Sequence, residues 1–341
     1  MKLKRTLASI LLPFCLVFVS GCFRQGYEPK IMVDEYEIYT FVIPLGKYDN
    51  ILDVSYGMAS VERNRRGVEL LNIATGEYVV PFGRYSAVTA IYYNRALARN
   101  RNGSGIIDIV TGEQIVPFGK YVIRPTQSRM ALVYVEDATI YHRSVARLAE
   151  AMIDIESGKY IIPFGRYWVW GAYDNMAIVQ SLYGEVALLD IENHDYVIAF
   201  GEFDSIRENI NNNMAIVSAL FNRLAIIDIE TREELIPFGM YVHFNRMCSG
   251  LVVAQTEEGT RVIIDILSNE DITPFDAEEY RIWDISDGMV IFGSDVKWAV
   301  KDISSGEVII PFFRYTSIHR TDYDSTFIVT RRGQSGVIYI N

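Results

Sequence analysis

Cys22 is the residue of this chain whose surroundings point most directly to chemistry. Three basic residues among the first five precede an apolar run from Leu7 to Val19, and the small residues Ser20 and Gly21 come directly before the cysteine. A basic stretch, an apolar stretch and small residues at a cleavage point form the layout of a secretory signal peptide. The apolar run is shorter than the roughly 20 residues that a membrane-spanning helix needs. The sequence therefore predicts export, with cleavage before Cys22.

The segment Val19-Ser20-Gly21-Cys22 also resembles the lipobox of bacterial lipoproteins. This resemblance implies that the Cys22 thiol receives a diacylglycerol, that residues 1–21 are removed, and that the new amine is acylated, for example with palmitate. Residues 22–36 would then be a lipidated tether at a cell membrane or outer membrane, on its extracytoplasmic side. Several acyl chains, each contributing about 0.8 kcal/mol per buried CH₂, give a stable anchor. The alternatives are an ordinary signal peptide and an uncleaved anchor.

The other residues that commonly carry chemistry form no cluster in the sequence. No H-x-x-H, H-E-x-x-H or C-x-x-C spacing occurs, although such spacings are typical of metal and redox sites. There is no G-x-S-x-G elbow and no phosphate-binding loop. The histidines fall in separate parts of the chain: His142, His194, His243 and His319. We therefore predict no metal, no cofactor and no catalytic residue.

Composition and charge restrict the class of partner. The chain is 50% hydrophobic and 13% aromatic, which is ample for a core. Its formal net charge is −11, and removal of the three basic residues of the signal segment would leave −14. An acidic protein is repelled by the phosphate backbone and by anionic headgroups. We expect no nucleic-acid partner, and membrane contact through the lipid alone.

An internal repeat determines the expected architecture. The motif PFG-x-Y, or a near copy, occurs eight times, at intervals of 36 to 38 residues except for one interval of 46. Fixed periods of this kind indicate repeat proteins or propellers. The copies begin at Pro44, Pro81, Pro117, Pro163, Ala199, Pro237, Pro274 and Pro311.

Each unit predicts four short strands, which we call a to d in chain order. Runs such as NMAIV and AIIDI are rich in β-branched residues, which suit a pleated surface. A Thr-Gly or Ser-Gly turn separates strands c and d, and proline after strand d ends it. A recurrent aspartate before that turn is expected to accept backbone N–H groups and not to bind a metal. These aspartates are Asp108, Asp154, Asp190, Asp228, Asp265 and Asp302.

The two ends of the chain predict a closed ring. Tyr39–Pro44 matches strand d, and Gly336–Asn341 matches strand c. Pairing them completes the last unit and removes the exposed sheet edges of an open array. We therefore expect an all-β domain over residues 37–341, an eight-bladed β-propeller of four-stranded blades closed by the N-terminal strand. The alternative is an open β-solenoid of eight repeats.

Two families show related units. The pattern G-x-x-IDI-x-TGE-x-IIPFG-x-Y resembles WG-repeat proteins over roughly residues 38–341, although the Trp-Gly pair is missing where strand c opens. Trp298-Ala299 comes nearest to it, so the chain would be a divergent member. The strings IDIVTGE and MIDIESGK also resemble quinoprotein-like eight-bladed propellers, without their tryptophan docking motif. The first resemblance implies a binding or scaffolding role.

Two places where the repeat units differ from one another are candidate contacts for a partner. The long interval carries an insertion between strands b and c, in which Arg143 and Arg147 lie four residues apart. Trp168 and Trp170 lie two apart in a predicted strand, so their rings point the same way. If exposed, they form an aromatic platform for a sugar or peptide; if buried, they belong to the core. These four residues are the predicted contacts.

The motif aromatics could in principle ring a ligand, but their regular position favours packing between blades. They are Tyr48, Tyr85, Tyr121, Tyr167, Phe203, Tyr241, Tyr280 and Tyr315.

The sequence favours a binding protein over an enzyme. A lipid-anchored extracytoplasmic propeller would present its surface to envelope proteins or polysaccharide. The alternative is a propeller-type enzyme acting on polysaccharide. It would need carboxylates or a His/Tyr set that converge from different blades, which sequence spacing does not reveal.

Overall fold

Each repeat unit folds into one blade, a sheet of four antiparallel strands, and eight such blades form a closed β-propeller. This architecture is seen in the computed structural model, which describes residues 39–63, 67–81, 83–126, 128–135, 150–173, 175–211, 213–219, 221, 223–277, 279–294, 297–321, 323 and 325–340. Within these ranges all regular secondary structure is β. The predicted fold class is confirmed, and the open solenoid is excluded by closure of the ring.

The first four blades take the following strands. Blade 1 has β2 (Asn50–Ser55), β3 (Met58–Glu62), β4 (Val68–Asn72) and β5 (Tyr78–Val80); blade 2 has β6 (Ala87–Tyr92), β7 (Arg95–Asn100), β8 (Gly103–Asp108) and β9 (Gln114–Val116). Blade 3 has β10 (Val122–Pro125), β11 (Met130–Tyr134), β12 (Glu150–Asp154) and β13 (Tyr160–Ile162); blade 4 has β14 (Trp168–Tyr173), β15 (Met176–Gln180), β16 (Val186–Asp190) and β17 (Tyr196–Ile198).

The remaining strands complete the ring. Blade 5 has β18 (Ser205–Asn211), β19 (Met214–Ala219), β20 (Arg223–Asp228) and β21 (Glu234–Ile236); blade 6 has β22 (His243–Cys248), β23 (Leu251–Gln255), β24 (Arg261–Asp265) and β25 (Glu270–Asp271). Blade 7 has β26 (Arg281–Ser286), β27 (Met289–Ser294), β28 (Lys297–Asp302) and β29 (Val308–Ile310). Blade 8 has β30 (Ser317–Arg320), β31 (Thr326–Arg331), β32 (Gln334–Ile340) and, as strand d, β1 (Tyr39–Ile43).

The N-terminal strand closes the ring as the sequence predicted. β1 runs antiparallel to β32, with Tyr39 opposite Ile340 and Ile43 opposite Val337. Ile43 is 1% exposed and packs in the apolar cluster between blades 8 and 1. Tyr39 is buried in the cluster between blades 7 and 8, and its hydroxyl lies 3.0 Å from that of Tyr315. The last blade therefore depends on a strand from the opposite end of the chain.

Apolar packing between neighbouring blades holds the ring together. Strands b and c are buried on both faces, as in the BBBB pattern of β11, because each sheet is sandwiched between two others. Each of the eight interfaces contains one cluster of buried side chains. The core is therefore a ring of separate contacts around a central channel.

The recurrent aspartates form the c–d turns. Asp228 Oδ1 accepts the backbone N–H groups of Glu230 at 2.9 Å and Thr231 at 2.7 Å. Hydrogen bonds of this kind, the largest from Thr231, hold the pKa of Asp228 below its usual value. Asn72 accepts the same pair of N–H groups in blade 1, so the turn requires an acceptor and not a charge. The interpretation as turn formers is confirmed.

The motif aromatics lie in the packing between blades, as expected. Tyr85 stacks on Phe118 of the following motif, with ring centroids 5.6 Å apart, and Tyr280 stacks on Phe312 in the same way at 5.1 Å. The hydroxyl of Tyr48 lies 3.0 Å from that of Tyr78 on strand d of the same blade. These contacts make the tyrosine a structural element of the repeat and leave the channel as the candidate site.

Candidate ligand-binding channel

The innermost strand of each blade is strand a, and these strands surround a cavity of about 800 Å³ on the axis of the ring. Its walls combine backbone and side chains from blades 1 to 6 and blade 8. The volume falls in the range of roughly 300–1,000 Å³ that small-molecule sites occupy. The lining residues include Asp53, Tyr56, Arg124, Trp170, Tyr173, Asn245, Arg246, Cys248 and Arg320.

β-Bulges turn selected side chains of the inner strands toward solvent. In β2, β14 and β26 the register with strand b shifts at the third residue, so that Leu52, Trp170 and Trp283 are the extra residues. A bulge leaves its extra residue unpaired and re-aims its side chain. Leu52 is 53% exposed, Trp170 38% and Trp283 41%. Three equivalent positions of the repeat therefore present large apolar side chains at the inner edge of their blades.

Each of the two exposed indoles is supported by a second tryptophan. Trp170 packs against Trp168 with ring centroids 5.3 Å apart and an angle of 31° between the planes. Trp283 packs against Trp298 of β28 at 4.7 Å and 30°. Pairing of this kind fixes the orientation of an exposed ring, which lowers the entropy lost when a ligand stacks on it. Blades 4 and 7 thus carry two rigid aromatic platforms.

Two arginines of the cavity wall contact blade 7 from its two sides. Arg246 of blade 6 places Nε 3.5 Å from Oδ1 of Asp284. Arg320 of blade 8 donates from Nε to the hydroxyl of Ser286 at 2.6 Å. That hydroxyl in turn donates to Asp287 at 2.8 Å, so its lone pairs are free to accept from the arginine. Both guanidinium groups are therefore held in place by side chains of one strand and its hairpin.

A third arginine lies near the tryptophan platform of blade 4. Arg124 Nη2 donates to the carbonyl oxygen of Trp170 at 3.4 Å and lies 4.0 Å from the carboxylate of Glu150. Glu150 is 1% exposed, and its Oε2 accepts the backbone N–H of Val169 at 3.1 Å across the interface of blades 3 and 4. Burial raises the pKa of Glu150 above its usual value. This buried carboxylate therefore contacts both Arg124 and the strand β14 that carries Trp170.

Tyrosines of blades 1, 2 and 4 lie at or near the a–b hairpins, at one end of the channel. Tyr56 and Tyr173 line the cavity. Tyr56 lies edge-on to Tyr92, with centroids 5.9 Å apart, and Tyr92 is edge-on to Tyr93 at 4.7 Å. Tyr93 is 69% exposed. This end therefore offers hydroxyl groups and ring faces together, a combination that suits a partly polar ligand.

Two carboxylates at or near the channel each contact a side chain of the protein. Asp53 lies 2.8 Å from the hydroxyl of Ser55, and Asp284 contacts Arg246. The two acids belong to blades 1 and 7, and a side chain of the protein engages each of them. Within the described ranges no group of three metal-ligating side chains is placed to hold an ion. In the same ranges no helix has the length and apolarity to cross a membrane.

The predicted contact residues lie in different places. Trp170 is exposed and lines the channel, and Trp168 is partly buried beside it. Their role as a contact for a sugar or peptide stays a prediction. Arg143 and Arg147 lie outside the described residues, as does Cys22. Cys248 is half-buried and also lines the channel. Arg246 and Arg320 were not identified from the sequence as site residues. Both lie on strand a of their blades, and this common position is the signal that could have found them.

Only the comparison with solved structures found proteins similar to this chain. No family model matches the chain, and no curated protein matches it. Among solved structures, the computationally designed Ika8 protein has a TM-score of 0.51 at 15% identity, over 88% of this chain and 99% of that one. BamB from Moraxella catarrhalis gives 0.48 at 12% identity, over 88% and 99%. Apo AztD from Citrobacter koseri gives 0.41 at 13% identity, over 76% and 84%.

At these identities the similarity is one of fold alone. No family model supports the resemblance to WG-repeat proteins. The chain is an eight-bladed β-propeller of four-stranded blades whose ring is closed by its own N-terminal strand.

Proposed function

We propose that the chain is a lipid-anchored, extracytoplasmic binding protein that takes a saccharide in its central channel. The observation that carries this proposal is the exposed Trp170 on the channel wall, supported by Trp168 and repeated in blade 7 by Trp283 and Trp298. Flat apolar rings stack on the faces of sugar rings, and neighbouring polar groups fix the hydroxyls. The lipid anchor rests on the signal segment and Cys22.

Saccharide binding can be tested by removing the platforms. Trp170→Ala and Trp283→Ala are each expected to weaken binding of an oligosaccharide by about three- to tenfold, since an aromatic contact is worth about 0.5–1.5 kcal/mol beyond its area. Isothermal titration calorimetry against a panel of envelope oligosaccharides measures this. Tyr183→Ala is the matched control, because Tyr183 is 92% exposed on the b–c hairpin of blade 4, away from the channel. Equal affinities in all variants would refute channel binding.

We also propose that the protein is not an enzyme. The panel members that bind are expected to be recovered unchanged after long incubation, which chromatography of the mixture measures. Release of shorter or unsaturated products would instead favour a polysaccharide hydrolase or lyase.

An envelope protein is the second candidate partner. The b–c hairpins of the neighbouring blades 4 and 5 carry strongly exposed apolar side chains, with Leu182 61%, Tyr183 92% and Phe221 98% exposed. Large exposed apolar residues on adjacent hairpins are typical of protein contact sites. The Tyr183→Ala variant distinguishes the two candidates, because it should weaken the binding of a protein partner and leave the binding of a saccharide unchanged.

The anchor has its own test. Cys22→Ser is expected to move the protein from the membrane fraction to the soluble fraction while its heat denaturation midpoint stays the same, because the ring begins at Tyr39. Fractionation followed by immunoblotting measures the first effect and circular dichroism the second. A variant that stays with the membrane, or that unfolds, would contradict the proposed anchor.

A further inference from the structure

We propose that the saccharide is acidic. Its carboxylate binds to Arg246 of blade 6 and Arg320 of blade 8, the two arginines that contact blade 7. The inference rests on the proposed function and specifies the chemical class of the ligand in that channel. A sugar carrying a ring carboxylate, as in a uronic acid, is the simplest ligand with this chemistry.

The two guanidinium groups are oriented for an incoming anion. Each is held through Nε, Arg246 by Asp284 and Arg320 by Ser286. These two contacts use Nε, and the Nη groups carry the other N–H donors of each guanidinium. The planar guanidinium matches a carboxylate in a two-point contact through such N–H groups. Because the side chains are already anchored, little rotamer entropy is lost on binding.

The two arginines share one support and so belong to one site. Asp284 and Ser286 lie two residues apart on β26 and hold one arginine each, from blade 6 and from blade 8. Both arginines line the same cavity. A ligand in that cavity can therefore contact both guanidinium groups. Arg124 adds a third positive charge from blade 3.

The charge of the channel wall is opposite to that of the protein. Three arginines and one aspartate are the described charged residues of the wall, whereas the whole chain carries a formal net charge of −11. A narrow cavity of one sign focuses its field and favours ligands of the opposite sign. The acidic outer surface repels the same ligands elsewhere. Selectivity for anions is therefore restricted to the channel.

The neighbouring indole favours a sugar acid over an acidic peptide. Trp170, which is 38% exposed, lines the same cavity as both arginines, so an aromatic face is available in that site. A uronic acid presents a ring face and a carboxylate on one rigid unit. An aspartate or glutamate side chain carries the carboxylate without the ring face. The combination of contacts therefore matches the sugar acid.

The test compares each acidic oligomer with its own methyl ester. Oligogalacturonate and oligomannuronate are titrated calorimetrically into the full-length protein, alongside their methyl esters, which keep the sugar and lose the charge. We expect at least one acid to bind about tenfold more tightly than its ester, as for a charge-assisted contact. Arg246→Gln and Arg320→Gln should each remove about that factor for the acid and leave the ester unchanged. Arg331→Gln, an exposed arginine at the end of β31, is the charge-matched control.

The outcomes separate this inference from the proposed function. Equal affinity for acids and esters overturns the inference and leaves the saccharide function intact; no binding of any oligomer overturns both. Oligoglutamate binding as tightly as the best uronate overturns the sugar-acid class. If a glutamine variant has a lower denaturation midpoint than wild type, the Arg320→Lys variant is titrated in its place. Lysine keeps the charge without the planar fork, and unchanged affinity there would overturn the two-point contact.

Discussion

Deletion of Tyr39–Ile43, the strand β1, is expected to lower the free energy of unfolding by about 5 kcal/mol. The deletion exposes the edge of β32 and removes two almost fully buried side chains, with Tyr39 3% and Ile43 1% exposed. Burial of one such side chain contributes about 1.5–3 kcal/mol, and the loss of ladder hydrogen bonds adds to this. Chemical denaturation of the full-length chain with and without the deletion measures the difference. The truncated protein should also self-associate, because its last blade has an unpaired edge.

Point variants of β1 test the same contact without shortening the chain. Ile43→Ala is expected to cost about 2–4 kcal/mol, because it opens a cavity in the cluster between blades 8 and 1. Thr40→Ala, at a half-buried position of the same strand, is the matched control and should change little. Wild-type stability in the deletion variant would show that blade 8 holds without its fourth strand, contrary to the closed-ring description.

The blades and their closure could be predicted because their signals are local. Proline after strand d, the Asp-x-x-x-Gly turn and the β-branched runs each act within a few residues, and they repeat with one phase along the chain. Closure followed from the incomplete last unit, whose missing strand d matches Tyr39–Pro44. These features need no knowledge of which blades lie next to each other.

The channel could not be predicted in the same way, because its side chains meet only after the ring has formed. Arg246, Asp284 and Arg320 come from three separate units, and nothing in their local sequence indicates mutual contact. The bulge at Trp170 depends on the register between β14 and β15, which the alternation of residue types does not specify. The sequence identified the tryptophan pair but left open whether it was exposed. The structure resolves that point because it places Trp170 on the channel wall.

Replacement of Glu150 by alanine is expected to lower the free energy of unfolding by about 3 kcal/mol. The side chain is buried at the interface of blades 3 and 4 and accepts the backbone N–H of Val169 at 3.1 Å. An orphaned buried N–H costs about 1–3 kcal/mol, and the vacated volume adds a cavity penalty. Arg124 would also lose the nearby carboxylate, 4.0 Å away. Urea denaturation at neutral pH measures the loss.

Replacement by glutamine should have a different result and a characteristic pH dependence. Glutamine keeps an acceptor for Val169, and it avoids burying a charge. Burial raises the pKa of Glu150 in the folded protein, so the folded state binds the proton more tightly than the unfolded state, where the pKa is about 4.3. The stability that this proton contributes is fully present below the unfolded pKa and is lost as pH rises through the folded pKa. Wild type should therefore lose stability relative to Glu150→Gln as pH rises from acid to neutral.

The experiment is a series of denaturation curves from about pH 4 to neutral for wild type, Glu150→Gln and Glu234→Gln. Glu234 is an exposed glutamate on β21, so its variant controls for the loss of one negative charge. We expect the stability difference between wild type and Glu150→Gln to grow in favour of glutamine with rising pH, beyond any change measured for Glu234→Gln. A glutamine variant that loses as much stability as the alanine variant at neutral pH would show that the ionised carboxylate, acting with Arg124, stabilises the interface. The buried acid would then be part of an ion pair that the fold requires, and the cost of burying its charge would be the smaller effect.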